Sequence, residues 1–268
     1  MAQPQKLDLL DSTLLAIARV QPFNRGLLRR FWINFFKKRF DHAVETTYRG
    51  VPFLFHLDNT TEQKGLCNFY DMKEVNFAIE ASRVEKPIFI DVGANSGLYS
   101  QIFLFHASSS ARVIAIEPNP EMCERIRANA SLLSSQKSQS LIIENYAVGN
   151  EEGIMYLSLE TGAGGAHLVS EPSSNSIEVK VKRLLDILKA HNVGHIDLLK
   201  IDVEGFEDKV LIPFFDRGDR ILFPKSIIIE HTSDRNWKGD LWTRLKKEGY
   251  EETLRTRGNA ILRLHQTK

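Results

Sequence analysis

The stretch "FIDVGANSG" (residues 89–97) joins an apolar run to a glycine-rich turn. The run ends at Asp91, and Gly93 and Gly97 lie in the turn that follows. Glycines let a chain turn sharply and let a ligand approach its backbone. In open α/β sheets, ligands bind at such turns, outside the carboxyl ends of the strands. The stretch therefore predicts the first strand of a parallel sheet with a ligand site at its end.

Strands and helices alternate after this turn. Further strands are predicted at 111–117, 140–148, 195–202 and 225–231. Residues 119–133 have the periodicity of a helix. Because the strands are apolar on both faces, they indicate a parallel sheet with helices on both sides. The segment 153–182 breaks the alternation and predicts two strands around a loop rich in glycine and serine.

The chain before residue 87 follows another pattern. Helices are predicted over 7–20, 27–40 and 71–83. Two strands, "VETTYRG" and "VPFLFHL", meet at the Arg49-Gly50 turn. This part of the chain therefore carries helices and one hairpin before the parallel sheet begins.

Composition limits the classes to which the protein can belong. Its 268 residues fit one large domain, or one domain with an extension, and 43% apolar residues suffice for a buried core. A formal net charge of +1 argues against a generally basic nucleic-acid-binding protein. Cys67 and Cys123 stand alone, which predicts neither a disulfide framework nor a zinc site. No run approaches the roughly 18 apolar residues of a membrane span. Asp8 and Asp11 interrupt the stretch where a signal peptide would be apolar, so we expect a cytoplasmic protein.

The carboxylate of Asp91 narrows the choice of ligand. A dinucleotide site needs GxGxxG, but Gly93 and Gly97 are four residues apart, and a carboxylate repels a pyrophosphate. S-adenosylmethionine has no phosphate and carries a sulfonium and an ammonium group, which Asp91 suits directly or through water. Glu117, at the end of the next strand, is placed to accept hydrogen bonds from both ribose hydroxyls. The turn and Glu117 together predict an S-adenosyl-L-methionine site.

Three motifs carry a resemblance to a known family. They are "DVGANSGLYS" (91–100), "IEPNP" (116–120) and "IDLLKIDVEGFE" (196–207). In these motifs the chain resembles the FkbM-type methyltransferases, which depend on S-adenosylmethionine and methylate hydroxyls of sugars or secondary metabolites. The resemblance implies the class I, Rossmann-like α/β fold, a seven-stranded and mostly parallel sheet with helices on both faces. The antiparallel final pair would be "YEETLRT" (250–256) and "NAILRLH" (259–265). The match covers residues 45–268 and leaves 1–44 as an N-terminal helical extension.

The resemblance also implies where the site residues lie. The cofactor turn would be formed by Asp91, Gly93, Ala94, Asn95 and Gly97. Glu117 with Pro118 would hold the ribose, and Asn145 to Ala147 would lie near the adenine. Asp202, Glu204 and Gly205, at the end of the fourth strand, would face the methyl group.

Methyl transfer to a hydroxyl depends mainly on positioning, but the hydroxyl also loses a proton, which a nearby base assists. Candidate bases at the strand ends are Asp202, Glu204, Glu230 and His231, of which Asp202 is the first choice. Two other interpretations stay open. Asp202 could cap the helix that begins near Glu204. Asp202, Glu204 and Glu230 could instead bind a divalent cation such as Mg²⁺; no complete ligand set is present in the sequence, and no metal is predicted.

Three further residues are candidates for contacts with the acceptor. His167 follows the glycine-rich stretch "TGAGG", which could cover the acceptor. Asn236 and Trp237 follow the fifth strand, where class I enzymes often carry such contacts. Solvent exposure for His167 and core packing for Trp237 are the competing interpretations.

The segment 23–40 has six basic residues, six aromatic residues and no acid. Leu28, Phe31, Trp32 and Phe35 share one face of the predicted helix. This pattern is typical of a helix that lies peripherally on the inner face of a membrane. The alternative is that the apolar face packs onto the main domain and the basic residues are solvated.

Two other functions remain alternatives to O-methylation. A nucleic-acid methyltransferase is disfavoured because the chain lacks an N/D-P-P-Y/F tetrapeptide and a broad basic excess, so we expect a small-molecule or glycan acceptor and no nucleic acid. A non-catalytic binding protein on the same fold is the second alternative, because a fold does not by itself define a function.

Overall fold

The computed structural model describes residues 4–69, 72–108, 110–159, 166–169 and 171–265. The strands are β1 (Gln5–Lys6), β2 (Val44–Tyr48), β3 (Val51–Phe55), β4 (Ile88–Val92), β5 (Arg112–Ile116), β6 (Leu141–Glu144), β7 (Ala147–Val148), β8 (Gly153–Ser158), β9 (His167–Val169), β10 (Ser176–Lys182), β11 (Leu198–Ile201), β12 (Ser226–Glu230), β13 (Tyr250–Arg255) and β14 (Asn259–Leu264). The α-helices are α1 (Leu9–Ala18), α2 (Gly26–Arg39), α3 (Thr60–Leu66), α4 (Met72–Ala81), α5 (Leu98–His106), α6 (Pro120–Ala130), α7 (Ser135–Gln139), α8 (Leu184–Ala190), α9 (Glu207–Arg217) and α10 (Leu241–Lys247). Short 3₁₀ turns lie at Arg220–Leu222 and Asp234–Asn236.

The central sheet has seven strands in the order β13-β14-β12-β11-β4-β5-β6. Strand β4 pairs in parallel with β5 and β11, and β11 pairs in parallel with β12. Strand β14 runs antiparallel to both β12 and β13. The predicted class I fold, including its antiparallel final pair, is confirmed.

Alternate residues of the central strands are buried in two separate cores. Phe89 and Leu198 pack on one face of the sheet, together with α4, α5 and the N-terminal elements. Ile90 and Leu199 pack on the other face, against α8, α9 and α10. Burial of each such side chain is worth about 1.5–3 kcal/mol relative to exposure. Because both faces are covered, the free ends of the parallel strands are the remaining place for a ligand, and β4, β5, β11 and β12 all end at the same edge.

The elements before β4 form an N-terminal unit that packs on the core containing Phe89 and Leu198. Strands β1, β2 and β3 make a small sheet in which Gln5 pairs with Val44. The segments 1–44 and 45–268 therefore share a sheet, and the division between them at residue 44 stays a prediction.

Helix α2 packs through a face different from the one that the sequence predicts. Ile33 and Phe36 are buried, and Phe40, just after the helix, is buried as well. Leu28 and Phe31, which the sequence places on the packing face, are exposed. Trp32 and Phe35 are half-buried against the core, so the contact is centred about one residue later in the helical turn than predicted.

The segment 153–182 also differs from its prediction. Among its described residues it holds three strands, because β9 pairs antiparallel with β8, which pairs antiparallel with β10. Strand β10 pairs in parallel with β7, giving a four-stranded sheet β7-β10-β8-β9. The predicted strand 140–148 accordingly divides, with β6 in the central sheet and β7 in the smaller one. Residues 160–165 of the predicted loop lie outside the described residues.

Both cysteines are free and buried. Cys123 lies in α6, as the helical periodicity predicts. No helix within the described ranges combines the length and the apolar character that a membrane crossing requires.

Candidate active site

A cleft of about 860 Å³ opens at the carboxyl ends of β4, β5 and β11. The β4 turn from Gly93 to Ser96 lines the cleft, and β8 and β9 contribute Leu157, His167 and Leu168. Thr61 of α3 also reaches the cleft, so the N-terminal unit contributes to its wall.

The β4 turn depends on two left-handed glycines. Gly93 has φ +73°, and its N–H donates to the carbonyl of Ile116 at 2.9 Å. Gly97 has φ +81° and immediately precedes α5, and a Cβ added to it would lie 3.0 Å from Ile126. The two positions therefore hold glycine for both backbone conformation and space. Of the predicted turn residues, Gly93, Ala94 and Asn95 line the cleft, whereas Gly97 lies behind it.

Gly93 also locks the turn against the end of β11. The N–H of Asp202 donates to the carbonyl of Val92 at 3.0 Å. A Cβ on Gly93 would lie only 1.9 Å from the carbonyl oxygen of Asp202. The two predicted motifs, far apart in sequence, are thus in direct backbone contact.

Glu117 lies where the sequence places it, at the end of β5 in the cleft wall. Its carboxylate accepts hydrogen bonds from the N–H of Asn95 at 2.8 Å and of Asn119 at 2.9 Å. Burial raises its pKa to about 7, although these two backbone hydrogen bonds oppose the shift. Each carboxylate oxygen has a further lone pair, so Glu117 can hold the turn and still accept from ligand hydroxyls.

Replacing Glu117 with alanine is expected to weaken binding of S-adenosylhomocysteine about ten-fold or more. Hydrogen bonds to a charged group are worth about 1.5–3 kcal/mol net, and about 1.4 kcal/mol is ten-fold in affinity. Titration calorimetry measures the change, and Glu151→Ala, at an exposed position outside the cleft, is the matched control. A folded Glu117→Ala variant that binds as tightly as this control would contradict the ribose assignment.

The raised pKa of Glu117 gives this binding a pH dependence. With the pKa near 7, the ionised acceptor is lost as the pH falls. Wild-type affinity should therefore be about ten-fold weaker near pH 6 than near pH 8. A Glu117→Gln variant cannot titrate and should show a flat profile over this range. An equally steep profile in that variant would assign the titration to another group.

Asn145 stabilises the end of β5 and does not line the cleft itself. Its amide donates to the carbonyls of Glu117 and Pro118, at 2.9 and 2.8 Å. Pro118, Tyr146 and Ala147 line the cleft, and the Lys182 ammonium lies 3.9 Å from the Tyr146 ring centroid. The predicted adenine segment thus reaches the cleft through Tyr146 and Ala147, and the sequence did not single out Tyr146.

Asp91 is fully buried and is not among the described residues that line the cleft. One carboxylate oxygen accepts from Ser100 Oγ at 2.7 Å, and the other lies 3.9 Å from Lys200 Nζ. Burial raises the pKa of Asp91, and Lys200 counteracts this shift. The predicted contact of Asp91 with a cationic cofactor, directly or through water, stays a prediction. In the structure a protein cation, Lys200, faces the carboxylate.

Lys200 is one of the site residues that sequence reasoning missed. It lies in the middle of β11, is 3% exposed, and lines the cleft. Its ammonium is 3.4 Å from an Asp202 carboxylate oxygen and 3.4 Å from the carbonyl oxygen of Gly93. A lysine inside an apolar strand was the available signal, because lysine is almost never fully buried unless paired.

Asp202 does not cap the following helix, so that interpretation is wrong. Helix α9 begins at Glu207, and Phe206 precedes it without a side-chain cap. Glu207 instead holds the loop before it by accepting from the N–H groups of Val203 and Gly205, at 2.9 and 3.4 Å. Asp202 lines the cleft and pairs with Lys200.

Glu204 lines the mouth of the cleft in a strained conformation. Its φ is +53°, in the left-handed region that side chains other than glycine rarely adopt. Part of the side chain is open to solvent, but partial burial, with Asp202 and Glu230 nearby, raises its pKa well above the usual carboxylate range. Unusual backbone geometry and a raised pKa on one cleft residue are typical of a functional position.

Glu230 and His231, the other candidate bases, lie beside the cleft and are not among its described lining residues. Glu230 accepts from the N–H of Thr232 at 2.6 Å, and its second oxygen is buried without a partner among the described residues. His231 Nε2 lies 3.2 Å from the carbonyl of Thr256. Among the residues that the structure describes, no group of three or more acidic, cysteine or histidine side chains is arranged to hold a metal ion.

Of the three candidate acceptor residues, one lines the cleft and two lie outside its described lining. His167 lines the cleft from β9. Trp237 is half-buried against the core and donates to Glu207 at 2.7 Å, so it fixes the loop that carries Glu204. Asn236 lies next to Gly205, where an added Cβ would approach it to 3.2 Å.

The N-terminal unit holds the β4 turn from outside. Asn59 donates to the side-chain oxygen of Asn95 at 2.7 Å and accepts from two N–H groups at the start of α3. This contact, too, was missed, although Asn59 followed by Glu62 is a helix-start signal. The buried Arg125 adds a second link by donating to Asp58 and Glu62.

Comparisons with known proteins identify a methyltransferase family. The methyltransferase FkbM domain model matches residues 91–252. The chain is 30% identical over 128 residues to the hexuronic acid methyltransferase AglP of Haloferax volcanii. The aligned region covers 47% of this chain and 49% of that protein. It is 27% identical over 168 residues to the methyltransferase sdnD of Sordaria araneosa, 49% of this chain and 61% of that one. The chain thus spans about half the length of the first relative.

A solved structure of a methyltransferase FkbM from Methylobacillus flagellatus superimposes with a TM-score of 0.48 at 14% identity, covering 76% of this chain and 54% of that one. The domain match confirms the resemblance seen in "DVGANSGLYS" and "LKIDVEGFE", and with it S-adenosyl-L-methionine as the predicted cofactor. Because this match extends over more than half of the sequence, the chain belongs to the methyltransferase FkbM domain family.

Proposed function

We propose that the protein is an S-adenosylmethionine-dependent O-methyltransferase that acts on a hydroxyl of a sugar or secondary metabolite. The observation that carries this proposal is one cleft lined by Glu117 from β5 and by Asp202 and Glu204 from the end of β11. Glu117 suits the ribose of the cofactor, and the other two acids suit an acceptor hydroxyl. The relative that is named a hexuronic acid methyltransferase supports a sugar acceptor.

The walls of the cleft fit an adenosine group. Tyr146, Val148, Leu157 and Leu168 supply apolar surface near the polar Glu117. Gly93 and Ala94 let the backbone approach a ligand. When bound, the cofactor supplies an electrophilic methyl group. The residues of the chain bind it, orient the acceptor and exclude water.

Lys200 balances the buried acids at the base of the cleft. Its ammonium lies between Asp91 and Asp202, 3.9 and 3.4 Å from their carboxylates. A buried charge is tolerated only when it is paired and hydrogen-bonded. We therefore assign Lys200 a positioning role, in which it holds the end of β11 against the β4 turn and fixes the Asp202 carboxylate.

Glu204 is better suited than Asp202 to take the proton of the acceptor hydroxyl. The Asp202 carboxylate is already engaged by the Lys200 ammonium at 3.4 Å. Glu204 is surrounded by acids, and its raised pKa brings it closer to neutral pH, where a general base is most effective. Asp202 would then orient the acceptor or the cofactor.

Incubation with methyl-labelled S-adenosylmethionine and separate panels of glycans, hydroxylated metabolites and nucleic acids tests the proposal. We expect label in an acid- and base-stable methyl ether of a glycan or metabolite. Label only in nucleic acid would support the nucleic-acid alternative. If calorimetry detects no binding of S-adenosylmethionine or S-adenosylhomocysteine, the result favours the non-catalytic alternative.

A further inference from the structure

The outer surface of the N-terminal helices is unusually apolar. Of the fourteen large hydrophobic side chains that are exposed among the described residues, eight lie between Leu9 and Phe31. That segment is less than a tenth of the chain. Leu27 is 79% exposed and Phe31 is 61% exposed. Isolated exposed apolar residues are normal, but a contiguous concentration marks an interaction surface.

Helix α2 shows how this surface arises. Its inner side is already used, since Ile33 and Phe36 are buried in the core. Leu27 and Phe31 are four residues apart and share the opposite side, which continues to Lys38. The exposed residues therefore do not belong to the face that packs on the core. They form a second face of the same helix, which points outward.

Charge distinguishes this segment from the rest of the chain. Residues 12–40 contain seven basic residues and no acid, whereas the whole chain has a formal net charge of +1. The remainder therefore carries a formal charge of −6. Within the described residues, the ion pairs recorded for this segment are those of Arg39 with Asp8 and Asp11. By the helical repeat, Lys38 lies on the same side of α2 as Leu27 and Phe31, and Arg30 and Lys37 flank that side.

We propose that this face, defined by Leu27, Leu28, Phe31, Arg30, Lys37 and Lys38, binds an anionic lipid surface. Exposed leucine and phenylalanine suit the boundary between headgroups and acyl chains, and flanking cations suit anionic headgroups. A second copy of the chain is a poorer occupant, because a two-fold contact would bring the same basic segment against itself. Recruitment to a membrane would place the cleft near lipid-attached or membrane-proximal acceptors.

Vesicle co-sedimentation at low salt tests this proposal with the full chain. We expect binding to phosphatidylcholine vesicles that contain about one third phosphatidylserine, and at least about ten-fold weaker binding to phosphatidylcholine alone. The double variant Leu27→Ser, Phe31→Ser should lose most binding and keep its melting temperature, since both side chains are exposed. Lys37→Glu, Lys38→Glu should lose the preference for anionic lipid.

The matched control is Ile154→Ser, Ile221→Ser, which removes two side chains of similar exposure elsewhere. This variant should bind vesicles as the wild type does. Equal binding by it and by the Leu27→Ser, Phe31→Ser variant would overturn the proposal. So would wild-type protein that ignores anionic vesicles, or a solution dimer that the Leu27→Ser, Phe31→Ser variant dissociates. None of these outcomes bears on methyl transfer, which is measured separately with soluble acceptors.

Discussion

A Gly93→Ala variant is expected to unfold at a much lower temperature than the wild type and to lose cofactor binding. The added Cβ would lie 1.9 Å from the carbonyl oxygen of Asp202. Neither atom can swing away, because the backbone fixes the position of a Cβ and the oxygen belongs to the backbone, and both residues follow the ends of paired central strands. Left-handed backbone costs an alanine about 1–2 kcal/mol, and overpacking adds about 1–3 kcal/mol. The free energy of unfolding should therefore fall by about 2–5 kcal/mol.

Two other glycines separate the causes of this loss. Gly50 has φ +83° with nothing within 4 Å of an added Cβ, so Gly50→Ala measures the backbone strain alone. Gly153→Ala has neither the strain nor the contact and should be close to neutral. Denaturant unfolding and calorimetry with S-adenosylhomocysteine are measured on all three variants. If Gly93→Ala is no less stable than Gly50→Ala and binds normally, the contact with Asp202 does not constrain the turn.

The central sheet is predictable from sequence because its signals are local. Strands such as β4 and β11 are mostly apolar on both faces, and glycines follow β4. The turn "DVGANSG" and Glu117 could likewise be found, since each is a short motif at the end of a strand. What they have in common is that neighbouring residues in the chain define them.

The missed features depend instead on contacts between distant residues. The sequence neighbours of Lys200 predict an apolar residue at that position, and they give no reason for a lysine there. Its partners Asp91 and Gly93 lie more than 100 residues earlier and become adjacent only when β4 and β11 pair. Asn59 reaches Asn95 in the same way, through packing of the N-terminal unit. The packing face of α2 was predicted one residue too early because aromatic residues occupy both sides of the helix.

A Glu204→Gln variant is expected to lower turnover about 10²–10⁴-fold, the usual worth of a general base. The substitution keeps the shape of the side chain and removes its ability to take a proton. Binding of S-adenosylhomocysteine should stay within about two-fold of the wild type. Residue 204 is exposed, and the variant leaves Glu117, the proposed partner of the ribose, unchanged. A loss of turnover without a loss of cofactor affinity is the signature of a residue that acts in the chemical step.

The pH profile provides a second readout of the same assignment. A base must be ionised to act, so wild-type turnover should rise with pH through the raised pKa of Glu204. The midpoint should lie above the value of about 4.3 that is ordinary for glutamate. The residual activity of Glu204→Gln should not show this rise.

The amide variants Asp202→Asn and Glu230→Gln decide among the three clustered acids. Asp202 is paired with Lys200, so Asp202→Asn should lower turnover but keep the rise with pH. Glu230 is not among the described lining residues of the cleft, and Glu230→Gln should have the smallest effect. If Asp202→Asn abolishes the rise and Glu204→Gln keeps it, Asp202 is the base. Activity that a chelator removes and Mg²⁺ restores would instead assign these acids to a bound cation, whose charge would then orient the acceptor oxygen.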